Sequence, residues 1–175
     1  LPCVTRPGKR AAAIFATATH TFSPTQNLWV GYHQSSGDGR RGDGVSHTYD
    51  TFYASGYNNY GYMGLSQGKN IGDFRYGGTN RIAGPASLLW AVHEQFLSVR
   101  DDIWYAIFTP NIARPDARSS RLGRELDATV LLRFPWARRM TIALGYMAYF
   151  PGGYLKTSGP HTTAQQFSID IYGQF

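Results

Sequence analysis

The chain has 175 residues, with 17 Lys or Arg against 11 Asp or Glu and a formal charge of +6. No run of about 18 apolar residues occurs, which excludes a transmembrane helix, and the single cysteine, Cys3, excludes an internal disulfide. The arginines scatter over turns and loops with no basic helix or recognition motif, so nucleic acid is not an expected partner.

Taken in chain order, Arg10 to Phe22 predicts a strand of small residues and threonines. A Ser23-Pro24-Thr25-Gln26 turn follows, and Leu28 to Gln34 returns as its partner with Leu28, Val30 and Tyr32 on one face. Residues 37–44 form a loop of Gly, Asp and Arg; Asp38 and Asp43 offer oxygen ligands to calcium, but too few acids gather there for a site. Tyr49 to Gly64, rich in Tyr, Asn and Gly, is weakly strand-like and is expected to rim a mouth or fold inward. Asn70 to Tyr76 predicts a short strand before a Gly77-Gly78 break. Ala86 to Val99 is longer, with Leu88, Trp90, Val92 and Phe96 alternating against Ser87, Ala91, His93 and Gln95, while Glu94 spoils the apolar face.

Ile103 to Phe108 predicts a short companion strand, and residues 111–123 and 151–163 predict polar loops. Two long strands lie between those loops. Arg124 to Phe134 sets Leu126, Ala128, Val130, Leu132 and Phe134 against Glu125, Asp127, Thr129, Leu131 and Arg133. Arg138 to Phe150 sets Met140, Ile142, Leu144, Tyr146 and Phe150 against Arg139, Thr141, Ala143 and Gly145, after a tight Pro135-Trp136-Ala137 turn. The last segment, Gln165 to Phe175, places Phe167, Ile169, Ile171 and Phe175 on one face and Gln166, Ser168, Asp170, Tyr172 and Gln174 on the other.

These strands exceed the usual ~5–6 residues of soluble sheets, and at about 3.3 Å per residue with a tilt near 40° each crosses the roughly 25 Å apolar band of an outer membrane. An aromatic content of 15 % and 20 glycines in a slightly polar chain suit a barrel wall, where alternate residues face water and aromatic girdles mark the interfaces. A soluble sandwich or lipocalin-type barrel remains the alternative, although its exposed apolar face would drive aggregation.

Several chemical motifs fail on context. His93-Glu94 has no second histidine at helical spacing for zinc, and Ser66-Gln67-Gly68-Lys69 sits in a Gly-rich loop rather than opening a helix. No catalytic residue, metal site or cofactor is expected, and the protein is not expected to be an enzyme. Lumen-facing candidates are Arg133, Arg139, Glu125, Asp127, Asp170 and His93. Arg133 and Arg139 are candidates for an anion-guiding ring. They could equally solvate the periplasmic end or pair with Glu125 or Asp127. Asp127 and Asp170 could pair with arginines across the wall.

The succession Thr51-Phe52-Tyr53, Tyr57-Asn58-Asn59-Tyr60-Gly61-Tyr62-Met63, Lys69-Asn70-Ile71, Gly123-Arg124-Glu125-Leu126-Asp127 and Tyr149-Phe150-Pro151-Gly152-Gly153-Tyr154, closing on Phe175, resembles the C-terminal half of the alginate export family of outer-membrane porins. The resemblance implies a transmembrane antiparallel up-and-down β-barrel of about eighteen strands with an electropositive lumen. Residues 1–175 would then be a single all-β barrel domain, or the C-terminal part of a larger one; a small closed barrel of about eight strands is the alternative. The expected function is a passive, anion-selective channel in the bacterial outer membrane for export or uptake of anionic polysaccharide such as alginate or related solutes. The alternative is a small non-conducting barrel acting as anchor, adhesin or enzyme. Expected partners are outer-membrane lipid, an anionic saccharide or other anionic solute, and the barrel-assembly machinery through the strand that ends at Phe175.

Overall fold

A computed structural model describes residues 8–40, 42–51, 60–107, 110–134, 140–157, 159 and 162–173. A minor pair, β1 (Gly8–Lys9) and β4 (Val45–Ser46), runs parallel. The remaining strands are β2 (Ala13–Ser23), β3 (Gln26–Ser35), β5 (Ile71–Ala83), β6 (Ala86–Leu97), β7 (Arg121–Leu132), β8 (Met140–Pro151) and β9 (Ala164–Gly173). They form one seven-stranded antiparallel sheet in the order β2-β3-β5-β6-β7-β8-β9. Each strand of this sheet therefore pairs with the next one along the chain, an up-and-down meander. The sheet is open, with β2 and β9 at its edges.

Connections at the two ends of the sheet differ in length. At one end the chain reverses at Pro24-Thr25 and at Gly84-Pro85. At the other end, 36–70, 98–120 and 152–163 join the strands. The Pro135-Trp136-Ala137 turn lies outside the described residues.

The long connections are packed rather than merely solvated. Tyr60, Trp104, Ala106, Ala117 and Tyr154 gather with Ile71, Leu97 and Leu122 from the strand ends into a small apolar core. Residues 151–163, expected to be all loop, contain one helical turn, α1 (Gly153–Lys156). Its Tyr154 is fully buried, donating its hydroxyl to the Ile112 carbonyl and accepting the Arg114 amide. The companion strand expected from Ile103 does not form in the residues described. Trp104 and Ala106 make isolated bridges to Ile112 and Ser66, and Phe108 lies outside the described residues.

The expected break at Gly77-Gly78 is also absent, since β5 runs straight through both glycines. Their role is clearance. A Cβ on Gly77 would stand 2.6 Å from Cζ2 of Trp29, and one on Gly78 2.9 Å from Cδ2 of Leu28. Neighbouring side chains lie across the bare backbone, which is the use of glycine where another group approaches closely.

The two faces of the sheet differ in chemistry. On the outer face, register aligns Ala18, Val30, Tyr76, Val92, Leu126, Ala148 and Gln165 in one row and His20, Leu28, Gly78, Trp90, Ala128, Tyr146 and Phe167 in the next. Gln26, Asn80, Leu88, Val130, Leu144 and Ile169 form a third row, and Ala86, Leu132, Ile142 and Ile171 a fourth, so that the polar members fall mostly at the edges of rows that are otherwise apolar. The large apolar residues of these rows are exposed, Leu126 by 38 %, Leu144 by 42 % and Ile169 by 74 %, while the small Ala148 is buried among them. The inner face is the one the long connections cover.

Candidate functional site on the inner face

Alternation carries the opposite residues of the same strands inward. His33, Asp73, His93, Gln95, Glu125 and Asp127 are all buried there, and Asp73 and Glu125 are completely inaccessible. Burying ionisable groups is unfavourable unless they are paired or hydrogen-bonded. Each has partners. Nδ1 of His93 lies 2.9 Å from an Asp73 oxygen, and Nε2 lies 3.7 Å from Asp127. Arg75 brings a guanidinium nitrogen within 2.8 Å of Nε2 of His33.

The carboxylates of β7 also hold a loop. The segment following residue 59 folds back over the sheet, where the Tyr62 amide donates to Asp127 at 3.2 Å and the Met63 amide to Glu125 at 2.7 Å. The Gln95 side chain donates to the Tyr60 carbonyl at 2.6 Å. Gly61 between them has φ +93, and a Cβ there would collide with the Glu125 carboxylate. Only glycine combines the left-handed backbone with that approach. The inward course expected for the end of the 49–64 segment is thus found at residues 60–63, while residues 52–59 lie outside the described residues.

Among the sequence candidates, Glu125, Asp127 and His93 converge on this one site. Asp170 points to the same face through its pairing with Ala143, but it is exposed and four residues further along from the row that pairs Asp127 with Met147 and Gln166. Arg133 is exposed beyond the end of β7, its amide bonded to the Pro85 carbonyl. Pairing of Arg133 with Glu125 or Asp127 is therefore corrected, because those carboxylates are occupied at the other end of the strand by the loop amides and His93. Arg139 lies outside the described residues. Glu94 disturbs the outer face less than expected. It is bonded to Arg121 and Arg124 in the row of Tyr32, Phe74 and Phe150, beside the four apolar rows rather than within them.

Sequence reading missed Asp73, Arg75, His33 and Trp29 as members of the inner face. The signal was present as the alternation Asp73, Arg75, Gly77, Thr79, obscured by the assumed glycine break. At the loop end, Asp38 and Asp43 accept the amides of Arg40 and Val45, two residues on, and so serve their own turns.

Asp50 joins the start of the described chain to this loop layer, with Lys69 at 2.6 Å and Lys9 at 2.9 Å. The hydrogen bond from Lys69, followed by that from Lys9, holds its carboxyl down at about 2. The folded value lies below the ordinary 3.8, so the linkage is fully present above about pH 4 and is lost as pH falls through about 2. Titration of the Asp50 side-chain carbonyl by NMR is expected to give a midpoint near 2, returning toward 3.8 in Lys69→Ala.

An all-β, up-and-down antiparallel sheet with hydrocarbon facing out and ionisable groups facing in is the class these features define. Within that class the chain belongs to the alginate export family, whose model matches residues 5–168. Comparison with curated proteins gave no match. Membership of the family is consistent with a place in the bacterial outer membrane and with polysaccharide export there.

Proposed function

We propose that the sheet is part of the wall of a transmembrane β-barrel in the bacterial outer membrane, a passive channel for an anionic polysaccharide such as alginate or related solutes. The observation that carries this is the exposed apolar face. Its four rows and the flanking Tyr32–Phe74–Phe150 row span about 26 Å along the strands at ~3.3 Å per residue, or about 20 Å along the membrane normal at a tilt near 40°, which approaches the roughly 25 Å apolar band of such barrels once side chains are added. The Glu94–Arg124 row then sits at the interface, with Tyr32, Phe74 and Phe150 beside it in the place of an aromatic girdle.

An open edge cannot stand in lipid, because unpaired backbone groups there find no water. In this reading β2 and β9 pair with further strands. Both are exposed along nearly their whole length, which favours a large barrel of about eighteen strands over a small one of about eight that fills its interior with its own side chains.

The inner face forms the lumen wall, and residues 60–63, pinned to Glu125 and Asp127, narrow it. Transport involves diffusion and no covalent step, so the protein is proposed not to be an enzyme. Its partners are membrane lipid, the anionic solute and, through the terminal strand ending at Phe175, the barrel-assembly machinery; Phe175 itself lies outside the described residues. Purified protein in planar bilayers is expected to give anion-selective conductance. A folded preparation that inserts yet stays electrically silent, or that prefers cations, would overturn the proposal.

A further inference from the structure

One charged residue of the Gly123-Arg124-Glu125-Leu126-Asp127 segment takes no part in the inner site. Alternation sends Glu125 and Asp127 inward to the loop and turns Arg124 to the outer face, where it stands opposite Glu94. Arg121, opposite Phe96 at the start of β7, reaches the same carboxylate at 3.0 Å. Glu94 thus sits between two guanidinium groups, one on each of its oxygens. Two cations on one anion leave an excess positive charge at the border of an apolar face. A guanidinium carries more N–H donors than Glu94 engages, since the carboxylate takes one nitrogen of Arg121 and two of Arg124. Among the described residues no other acceptor bonds to either group, and the two side chains are 55 % and 47 % exposed. Gly72 keeps the neighbourhood open. A Cβ there would collide with the Phe96 ring, so the ring leans over the bare backbone of β5 and leaves the β7 side to the arginines.

What lies on either side of this pair decides its use. Toward the short turns come Tyr76, Val92 and Leu126 and the apolar rows beyond them, and the exposed rings of Phe74 and Phe150 flank the Glu94–Arg124 row. Toward the other end come the long connections, which outer-membrane barrels turn to the outside. The outer leaflet there is built of a glycolipid with phosphates on its sugars and acyl chains beneath them. We infer that Arg121 and Arg124, held by Glu94, are a docking site for a phosphate of this outer-leaflet glycolipid, whose acyl chains run down the apolar rows past Val92 and Leu126. A guanidinium fits a phosphate through two parallel N–H bonds. Glu94 orders both side chains before the lipid arrives, which lowers the entropic cost of binding. The inference rests on the outer face lying in lipid, and it adds which lipid and at which residues.

The complete protein in detergent, with EDTA to remove bridging cations, is titrated with diphosphorylated lipid A, with its dephosphorylated form and with phosphatidylglycerol, and bound lipid is counted by native mass spectrometry. Diphosphorylated lipid A is expected to bind roughly tenfold or more tightly than either of the others. Arg121→Gln and Arg124→Gln should each weaken it about fivefold, and the two together roughly twentyfold, as loss of a cation near an anionic lipid surface does. Arg81→Gln with Arg133→Gln removes the same charge from exposed positions at the short-turn end and should leave binding unchanged. Inorganic phosphate in excess should not displace the lipid, because it lacks the chains that lie on the apolar rows. Equal loss in the two double variants, no preference for the phosphorylated lipid A, equal binding of phosphatidylglycerol, or displacement by inorganic phosphate would overturn the site. Silent bilayers with lipid binding intact would overturn the channel and leave the site standing. Anion-selective conductance with lipid A binding unaltered in Arg121→Gln/Arg124→Gln would overturn the site alone.

Discussion

Leu144→Arg is expected to destabilise the protein refolded in lipid vesicles by about 2–4 kcal/mol, the effect of a cation at the midplane of a barrel's lipid face. Leu144 lies in the third of the four outer apolar rows, between Val130 and Ile169, with 42 % of its surface exposed. The same change on a water-facing residue of a soluble sheet shifts stability by only about 0.5 kcal/mol in either direction. Exposure alone cannot separate these cases, but the free energy can. Phe150→Arg, in the row of the Glu94–Arg124 pair, should cost about 0–1 kcal/mol, since the penalty falls toward the interface. Thr129→Lys, paired with Gly145 on the inner face at a similar height, should be tolerated. Urea titration of the three variants in vesicles gives the ordering. Equal effects within about 0.5 kcal/mol at Leu144 and Phe150 would remove the outer face from lipid and the channel with it.

The outer face was legible because a strand repeats every two residues and nothing interrupts that repeat in β7, β8 and β9. Glu125, Asp127 and His93 were found for the same reason, as polar members of otherwise apolar alternations. What could not be read was distance across strands. Asp73 and His93 stand 20 positions apart in sequence, yet register brings their side chains within hydrogen-bonding distance. The loop amides of Tyr62 and Met63 are backbone groups, identical in every residue but proline, so no residue type announced that they would dock on β7. The glycines at 77 and 78 misled because glycine signals a break as readily as it signals clearance for Trp29 and Leu28.

Replacing Glu125 and Asp127 together with alanine is expected to release the loop without melting the strand beneath it. In the native arrangement two backbone N–H groups end on these carboxylates, and Gly61 brings the chain against Glu125 so that the contact closes. Leaving a buried N–H without an acceptor costs about 1–3 kcal/mol. The two losses share one loop and need not add. Even about 3 kcal/mol in total corresponds to a roughly hundredfold larger open population, since each ~1.4 kcal/mol is tenfold. Hydrogen exchange at the Tyr62 and Met63 amides should accelerate by that factor, while β7 amides paired with β6 and β8 keep their protection. Glu125→Gln, which retains an oxygen able to accept the Met63 amide, should have a much smaller effect than Glu125→Ala. In bilayers the double variant should conduct with larger fluctuations than the wild type, because the segment docked on the wall is freed to move within the proposed lumen. Unchanged exchange at both amides in the double variant would show that the apolar packing of Met63 against Met147 and Tyr149 holds the loop by itself, and that the β7 carboxylates do not pin it.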